Sequence, residues 1–394
     1  MINSLEVFCE NQKVGIARFS LRRGRVTTAF SYGDEWLGST ESFALDPSLP
    51  LVSGAHHTQG LPGSFRDSLP DRWGRNLIKK RLQQTGAGNR SLDDVDFLIG
   101  VSDLGRQGAL RFRENAGSPF LADDDAVPPL VELPRLLVAA REVALGDAGK
   151  EAIKELLDAG SGSLGGARPK ASVTDQGKLL LVKFPHPSDD WDVMAWEAVT
   201  LTLAKNAGIE VPPFKLVTIG ENHVLLEERF DRSGKSRLPY LSAMSLCGAQ
   251  DGDSRDYAEV ADALVSFCKQ PKQELLDLWR RVAFSCAVHN TDDHLRNLGF
   301  LRTGKDWHLA PLFDVNPNPY AASERASSIM GVHALKDENR ALAEFGEYLG
   351  LTKGQMEETS QIIQSSIMHW RKIASHYGIS LREMELFASV LDKK

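Results

Sequence analysis

Residues 288–300, VHNTDDHLRNLGF, crowd two histidines, two aspartates and two asparagines behind an apolar, helix-like run, LWRRVAFSCA. Three chemistries compete for this stretch: a metal held by histidines, a catalytic loop built on aspartates, or a polar turn. If the helix continued, His289 and His294 would lie roughly 140° apart around its axis, at about 100° per residue. Two metal ligands on one helix face need a spacing of three or four. No third ligand is evident, so a histidine site is not the expectation. Asp292 and Asn297 are better placed. Their D-x-x-x-x-N spacing is that of phosphoryl-transfer loops, where the aspartate stands by the attacking hydroxyl and the asparagine holds a metal. A second acid should follow on the next hairpin, and PLFDVNPNP supplies Asp314. Magnesium is hard, prefers oxygen and keeps several waters. A carboxylate, an amide oxygen and phosphate oxygens would suit it.

Three upstream features bear on the same chemistry. SGSLGGARPK (residues 161–170) carries Gly162, Gly165 and Gly166, which let a backbone approach a ligand and form a nest for phosphate. It lacks the GxxxxGK[ST] pattern of a P-loop, and alone it fits a structural turn better. Lys183 ends an apolar strand-like run, KLLLVKF, either snorkelling to water or aimed at phosphates. Glu197 sits in an apolar helical run, MAWEAVT; a cation partner such as Lys183 and a solvated face fit it equally. Each feature is weak alone. Their order is more informative: glycine-rich turn, strand lysine, helix glutamate, D-x4-N, then a metal-type aspartate, as in protein kinases. The HRD and DFG triplets are absent.

The elements that must position these groups follow from periodicity. LEVFCE, VGIARFS and RVTTAFSY alternate as strands joined by polar turns. SLPDRWGRNLIKKRLQQ is a predicted helix with Ser68 as cap and Pro70 in the first turn. SLDDVDFLIG begins another, with Ser91 and Asp94 as a capping box; GALRFRE closes as a strand. Residues 115–130, rich in Gly, Pro and Asp, mark the expected domain boundary. Then come the helices ELPRLLVAAREVAL and KEAIKELLDAG, and the strands KASVTD and KLLLVKF. A helix follows through WDVMAWEAVTLTLAKNAG, then the strands FKLVTIG and HVLLEERFD. From Tyr257 the pattern is mostly helical, apart from a hairpin turning at TGKD.

Composition narrows the class. At 394 residues the chain needs two or three packed units, and 42% apolar with 25% charged content is ordinary for a globular protein. A net charge of −7 argues against direct nucleic-acid binding by charge. Basic clusters at Arg22, Arg23 and Arg25, and at Lys79, Lys80 and Arg81, read as solvated faces. Four scattered cysteines without a CxxC suit a reducing cytosol rather than a disulfide framework. The start of the chain lacks signal-peptide features, and no 18-residue apolar run would span a membrane.

With these residues in view, the sequence resembles the HipA family of bacterial serine/threonine kinases, the toxin half of HipBA-type toxin–antitoxin modules, over nearly the whole chain. NTDDHLRNLGF is similar to that family's NTD-x-H-x-[KR]-N signature. LAPLFDV resembles its metal-binding segment, SLGGARPK its phosphate loop, LLEERFDR its hinge and GSFRDSLPDRWGRNLI the signature of its N-terminal domain. The implied fold is α+β and two-lobed, protein-kinase-like. A strand-rich N-terminal domain covers residues 1–125 and a kinase core 126–394, with a small lobe over about 126–245 and a helical lobe over about 246–394.

The resemblance implies that Asp292 is the catalytic aspartate, and that Asn297 and Asp314 hold Mg2+. Lys183, held by Glu197 or another acid, would contact the phosphates of ATP. Ser163, Leu164, Gly165, Gly166, Ala167, Arg168 and Lys170 would form the phosphate loop. Glu228, Arg229 and Phe230 would lie by the adenine. His294 would pack or orient the loop. Ser163 falls where the family autophosphorylates, with Ser161 as a nearby alternative. Asp293 and Arg296 depart from the pattern. The first occupies a position that is often small, and its extra carboxylate could affect metal or substrate preference. The implied partners are a HipB-like helix-turn-helix antitoxin, which carries the DNA contact, and a protein substrate of the aminoacyl-tRNA synthetase class, glutamyl type. A small-molecule phosphotransferase and a non-catalytic corepressor are the alternative readings.

Overall fold

The computed structural model describes residues 2–22, 24–84, 91–121, 127–160 and 168–392. The chain forms two compact units, one of Met1–Ser188 with Glu228–Leu241, the other of Asp189–Glu227 with Ser242–Lys394.

The first unit opens with an antiparallel five-stranded sheet in the order β4-β3-β2-β1-β5. Its strands are β1 (Ser4–Cys9), β2 (Gln12–Arg22), β3 (Arg25–Tyr32), β4 (His56–Gln59) and β5 (Leu110–Arg113). Alternation buries Leu5 and Val7, and a register shift between Val7 and Phe8 explains why Phe8 is buried too. Gly15 is required where β2 crosses β3: a Cβ there would meet Ser31 O at 2.2 Å. Phe30, Phe65 and Phe112 make successive edge-on contacts in the core, with centroids 5.8 and 5.2 Å apart.

The short helices α1 (Asp34–Leu37) and α2 (Gly63–Arg66) precede α3 (Arg72–Gln84). Helix α3 starts later than its sequence suggests. Ser68 bonds back to Ser64 O, and Asp71 accepts from Gly74 N at 2.6 Å. The capping box of α4 (Asp94–Gly100) is likewise shifted, from Ser91 and Asp94 to Asp93 and Asp96. Where Ser and Asp crowd a helix start, several can cap, and packing of the apolar face selects the phase.

Helices α5 (Leu133–Leu145) and α6 (Lys150–Asp158) and the hairpin of β6 (Lys170–Asp175) and β7 (Lys178–Lys183) belong to this same unit. The sequence reading placed them beyond a boundary near residue 125. Within this unit α6 packs on α3, Lys80 Nζ reaches Val143 O at 3.4 Å, and Lys170 pairs with Asp71.

In the second unit, α7 (Val193–Asn206) is buried almost all round. Trp196 stacks on Phe387 at 3.9 Å and donates its indole N–H to Glu383 at 3.1 Å. A hairpin of β8 (Phe214–Ile219) and β9 (Asn222–Glu228) leads back to the first unit, with the two-residue strands β10 (Arg232–Ser233) and β11 (Ser236–Arg237) and then β12 (Tyr240–Ser242). The rest is helical: α8 (Ala243–Leu246), α9 (Tyr257–Phe267), α10 (Pro271–Ala287), α11 (Glu338–Tyr348), α12 (Lys353–Ile367), α13 (Trp370–His376) and α14 (Leu381–Leu391). The exception is the hairpin of β13 (Gly299–Thr303) and β14 (Asp306–Leu309), which turns at TGKD as its sequence indicates. Among the described residues no helix is long and apolar enough to cross a membrane.

Candidate active site

The loop after α10 owes its shape to where that helix stops. Proline at N1 starts the helix, and Leu278, Trp279, Val282 and Phe284 bury its apolar stripe. Val288 N still bonds Phe284 O, but His289 turns to φ +54°, a left-handed conformation that ends the helix. The two histidines therefore never share a helical face. His289 Nε2 lies 3.1 Å from Tyr320 O, while His294 Nε2 lies 3.8 Å from Asp292 Oδ1.

Asp292 stands at the tip of the loop with its side chain 83% exposed. Asn297 fixes the loop behind it. Its backbone N–H bonds His294 O at 2.8 Å, and its Nδ2 donates to Asp292 O at 3.0 Å. The amide oxygen of Asn297 is left as the group that can meet a cation. Asp314 follows β14 in a left-handed conformation, φ +53°, which aspartate and asparagine tolerate better than other side chains.

Asn297, Asp314, His294 and Asn290 line one small cavity of about 30 Å³ in the second unit. A carboxylate and an amide oxygen at one cavity form a hard oxygen pair of the kind magnesium takes.

Asp293, left without a role by the sequence, is bonded by several side chains. It is buried and paired with Arg325, and it accepts from Tyr257 Oη at 2.9 Å and Ser285 Oγ at 3.4 Å. Arg325 also reaches Glu338 at 3.1 Å and Ser285 Oγ at 2.9 Å. The carboxylate is thus tied into an internal network, and it also lines the cavity shared by Asn297 and Asp314. The only signal in the sequence was a second acid beside Asp292; its partner lies in the plain polar segment AASERASS. Arg296 grips Asp251 through two bonds, at 2.7 and 2.9 Å.

Lys183 and Glu197 are both buried, so neither the snorkelling lysine nor the solvated-face glutamate survives. Lys183 ends β7 in the first unit, and Glu197 lies within α7 of the second. Ser163, Leu164, Gly165, Gly166 and Ala167, with the alternative Ser161, lie outside the described residues. Arg168, next to them, is exposed. The amine of Lys170 is bound to Asp71.

At the hinge, Glu228 pairs with Lys178 at 2.9 Å, and the Phe230 ring lies 6.3 Å from that of Tyr240. Arg229 is fully engaged within the first unit. It forks onto Asp231 at 2.7 and 2.6 Å and donates to Gly105 O and Arg106 O. Its backbone N–H is taken as well, by Leu179 O at 3.0 Å. Burial would push the Asp231 carboxyl up, but the guanidiniums of Arg229 and Arg232 hold it well below the usual carboxylate range.

Comparison with known proteins accords with this layout. Residues 5–113 match the model of the HipA N-terminal domain, and residues 162–377 that of the HipA-like C-terminal domain. A Haemophilus influenzae protein, named only as a candidate kinase, is 26% identical over 203 residues, 45% of this chain and 58% of its own length. Toxin YjjJ of Escherichia coli K12 is 29% identical over 174 residues, 40% of this chain and 39% of its own length. The matches thus span between about two fifths and three fifths of these relatives. A chain of the Shewanella oneidensis MR-1 toxin–antitoxin complex of HipA, HipB and operator DNA shares the fold. It has a TM-score of 0.73 and 18% identity, covering 98% of this chain and 95% of that one. Both domains of the family are present in order, the second alone spanning more than half of the sequence, and the chain belongs to the HipA family.

Proposed function

We propose that this protein is an ATP- and magnesium-dependent serine/threonine protein kinase, acting in the cytoplasm as the toxin of a type II toxin–antitoxin module. The observation that carries the reading is the exposed Asp292 backed by Asn297, with Asn297 and Asp314 lining one cavity. Phosphoryl transfer asks little covalent chemistry of a protein; it asks for positioning and charge neutralisation. Asp292 orients the acceptor hydroxyl and takes its proton. His294, 3.8 Å away, braces that carboxylate. Asn297 and Asp314 would hold magnesium, which would supply charge neutralisation for the phosphates. Lys183 is assigned to the phosphates, with Glu197 as its acid partner, and residues 163–170 to the phosphate loop.

The substrate we assign is a protein hydroxyl, on an aminoacyl-tRNA synthetase of the glutamyl type, with Ser163 as the site of autophosphorylation. The partner is a helix-turn-helix antitoxin of the HipB kind, as in the complex from Shewanella oneidensis. The net charge of −7 suits a chain that reaches DNA through that partner.

The test is incubation with Mg-ATP and cell lysate, wild type beside Asp292→Ala. Mass spectrometry should find phosphate on Ser163 and on a host protein with the wild type alone. Equal labelling of both samples refutes the kinase reading. Transfer to sugars or aminoglycosides instead of protein points to a small-molecule phosphotransferase.

A further inference from the structure

In protein kinases the segment after the metal-binding aspartate is often ordered by phosphorylation, the new phosphate pairing with arginine. Here the corresponding stretch, residues 315–334, carries its own arginine, and the acid that meets it is already part of the chain. Arg325 pairs with Asp293, the residue next to Asp292. Ser327 Oγ donates to Asp293 O at 2.9 Å, Ala326 N to Thr291 O at 2.9 Å, and Asn318 N to His289 O at 2.9 Å. The stretch is therefore tied along the loop that bears Asp292 and Asn297. Its far end is tied separately: Asp256 accepts from Gly331 N at 2.7 Å and from Ser328 Oγ at 2.5 Å.

We propose that Asp293 is a positioning residue, a built-in latch that fastens residues 324–327 to the catalytic loop and holds Asp292 in place without modification of that segment. The inference rests on the kinase reading above and adds the regulation of its site. Three observations carry it. Both charges are closed off from water, with side chains 1% and 6% exposed for Arg325 and Asp293. Tyr257 and Ser285 complete the carboxylate's bonds from α9 and α10, so the latch is anchored in the helical core. Arg325 is shared with Glu338 at the start of α11, which fixes where the segment must end. A buried pair that loses one member leaves the other charge uncompensated, so the contact works as a unit.

The test combines residue-resolved amide hydrogen exchange with steady-state kinetics. It uses the wild type before and after phosphatase treatment, Asp293→Asn, Arg325→Met and the double variant. Asp293→Asn keeps the shape of the side chain, and a melting curve checks that each variant folds. Phosphatase treatment should leave exchange at Ala326 unchanged. Asp293→Asn should raise exchange at 324–327 by roughly tenfold or more while Gly331, held by Asp256, stays protected. It should lower kcat roughly tenfold or more, with KM for Mg-ATP within about threefold, since a positioning group acts in the transition state. The double variant should be no worse than the worse single one. The proposal is overturned if Asp293→Asn leaves that protection intact, if kcat survives the loss of protection, or if phosphatase treatment of the wild type abolishes protection. If the wild type transfers no phosphate, the kinase reading fails by itself, and the latch stands or falls on exchange alone.

Discussion

The amine of Lys170 lies 2.8 Å from the carboxylate of Asp71, and both side chains are about 95% withdrawn from solvent. Asp71 bonds the first turn of α3 with its other oxygen, through Gly74 N at 2.6 Å. A lysine that the family pattern places at the exit of the phosphate loop is thus also the tether between that exit and the N-terminal domain signature. Lys170→Met should therefore act first on stability. Removing one member of a buried pair costs about 3–5 kcal/mol, so denaturant titration should show that loss. Asp71→Asn, which removes the counter-charge of the buried Lys170 ammonium, should show a loss of the same order.

Asp292 has an exposed side chain and a proposed part in the chemistry. With its side chain 83% exposed, Asp292→Asn should change unfolding free energy by no more than about 0.5 kcal/mol. Phosphoryl transfer should fall by roughly a hundredfold or more, the scale of general-base and orienting contributions. A melting curve run beside a phosphate-incorporation assay checks both halves.

Asp314 combines the proposed ligand role with an unusual backbone. At φ +53°, Asp314→Asn keeps a residue that tolerates the conformation, whereas Asp314→Ala adds strain. Asp314→Asn should weaken magnesium-dependent nucleotide binding by roughly tenfold or more, since even outer-shell changes cost about 10–100-fold in metal affinity. Titration with and without a chelator isolates the effect: chelation should erase the difference between wild type and variant.

The hinge network sets an acid limit on the first unit. Asp231 ordinarily titrates at 3.8, and in the fold Arg229 and Arg232 hold it lower. Its folded value is depressed, so its contribution is fully present above 3.8 and is lost as pH falls below it toward the folded value. One such group gives a slope of about 1.4 kcal/mol per pH unit in that window. Denaturation midpoints between pH 6 and 3 should bend downward below about pH 4 in the wild type. Asp231→Asn should be less stable at neutral pH and should lack that component of the bend.

Much of this was open to the sequence alone. Strand alternation placed β1 to β3, apolar periodicity placed α7 and α10, and TGKD placed the turn between β13 and β14, because these signals repeat every two to four residues. Asp292 and Asn297 stood out as candidates by their D-x4-N spacing, and Asp314 by the apolar run before it. Helix starts were less legible. Ser68 gave way to Asp71, and Ser91 to Asp93, since several residues near each start can cap and packing selects one.

What only the tertiary structure decided is pairing at long range. Asp293 found Arg325 32 residues onward, and Lys170 found Asp71 99 residues upstream. No local periodicity links such partners. A buried charge must be compensated, but its sequence neighbours do not say by which group; the packed core brings the two together.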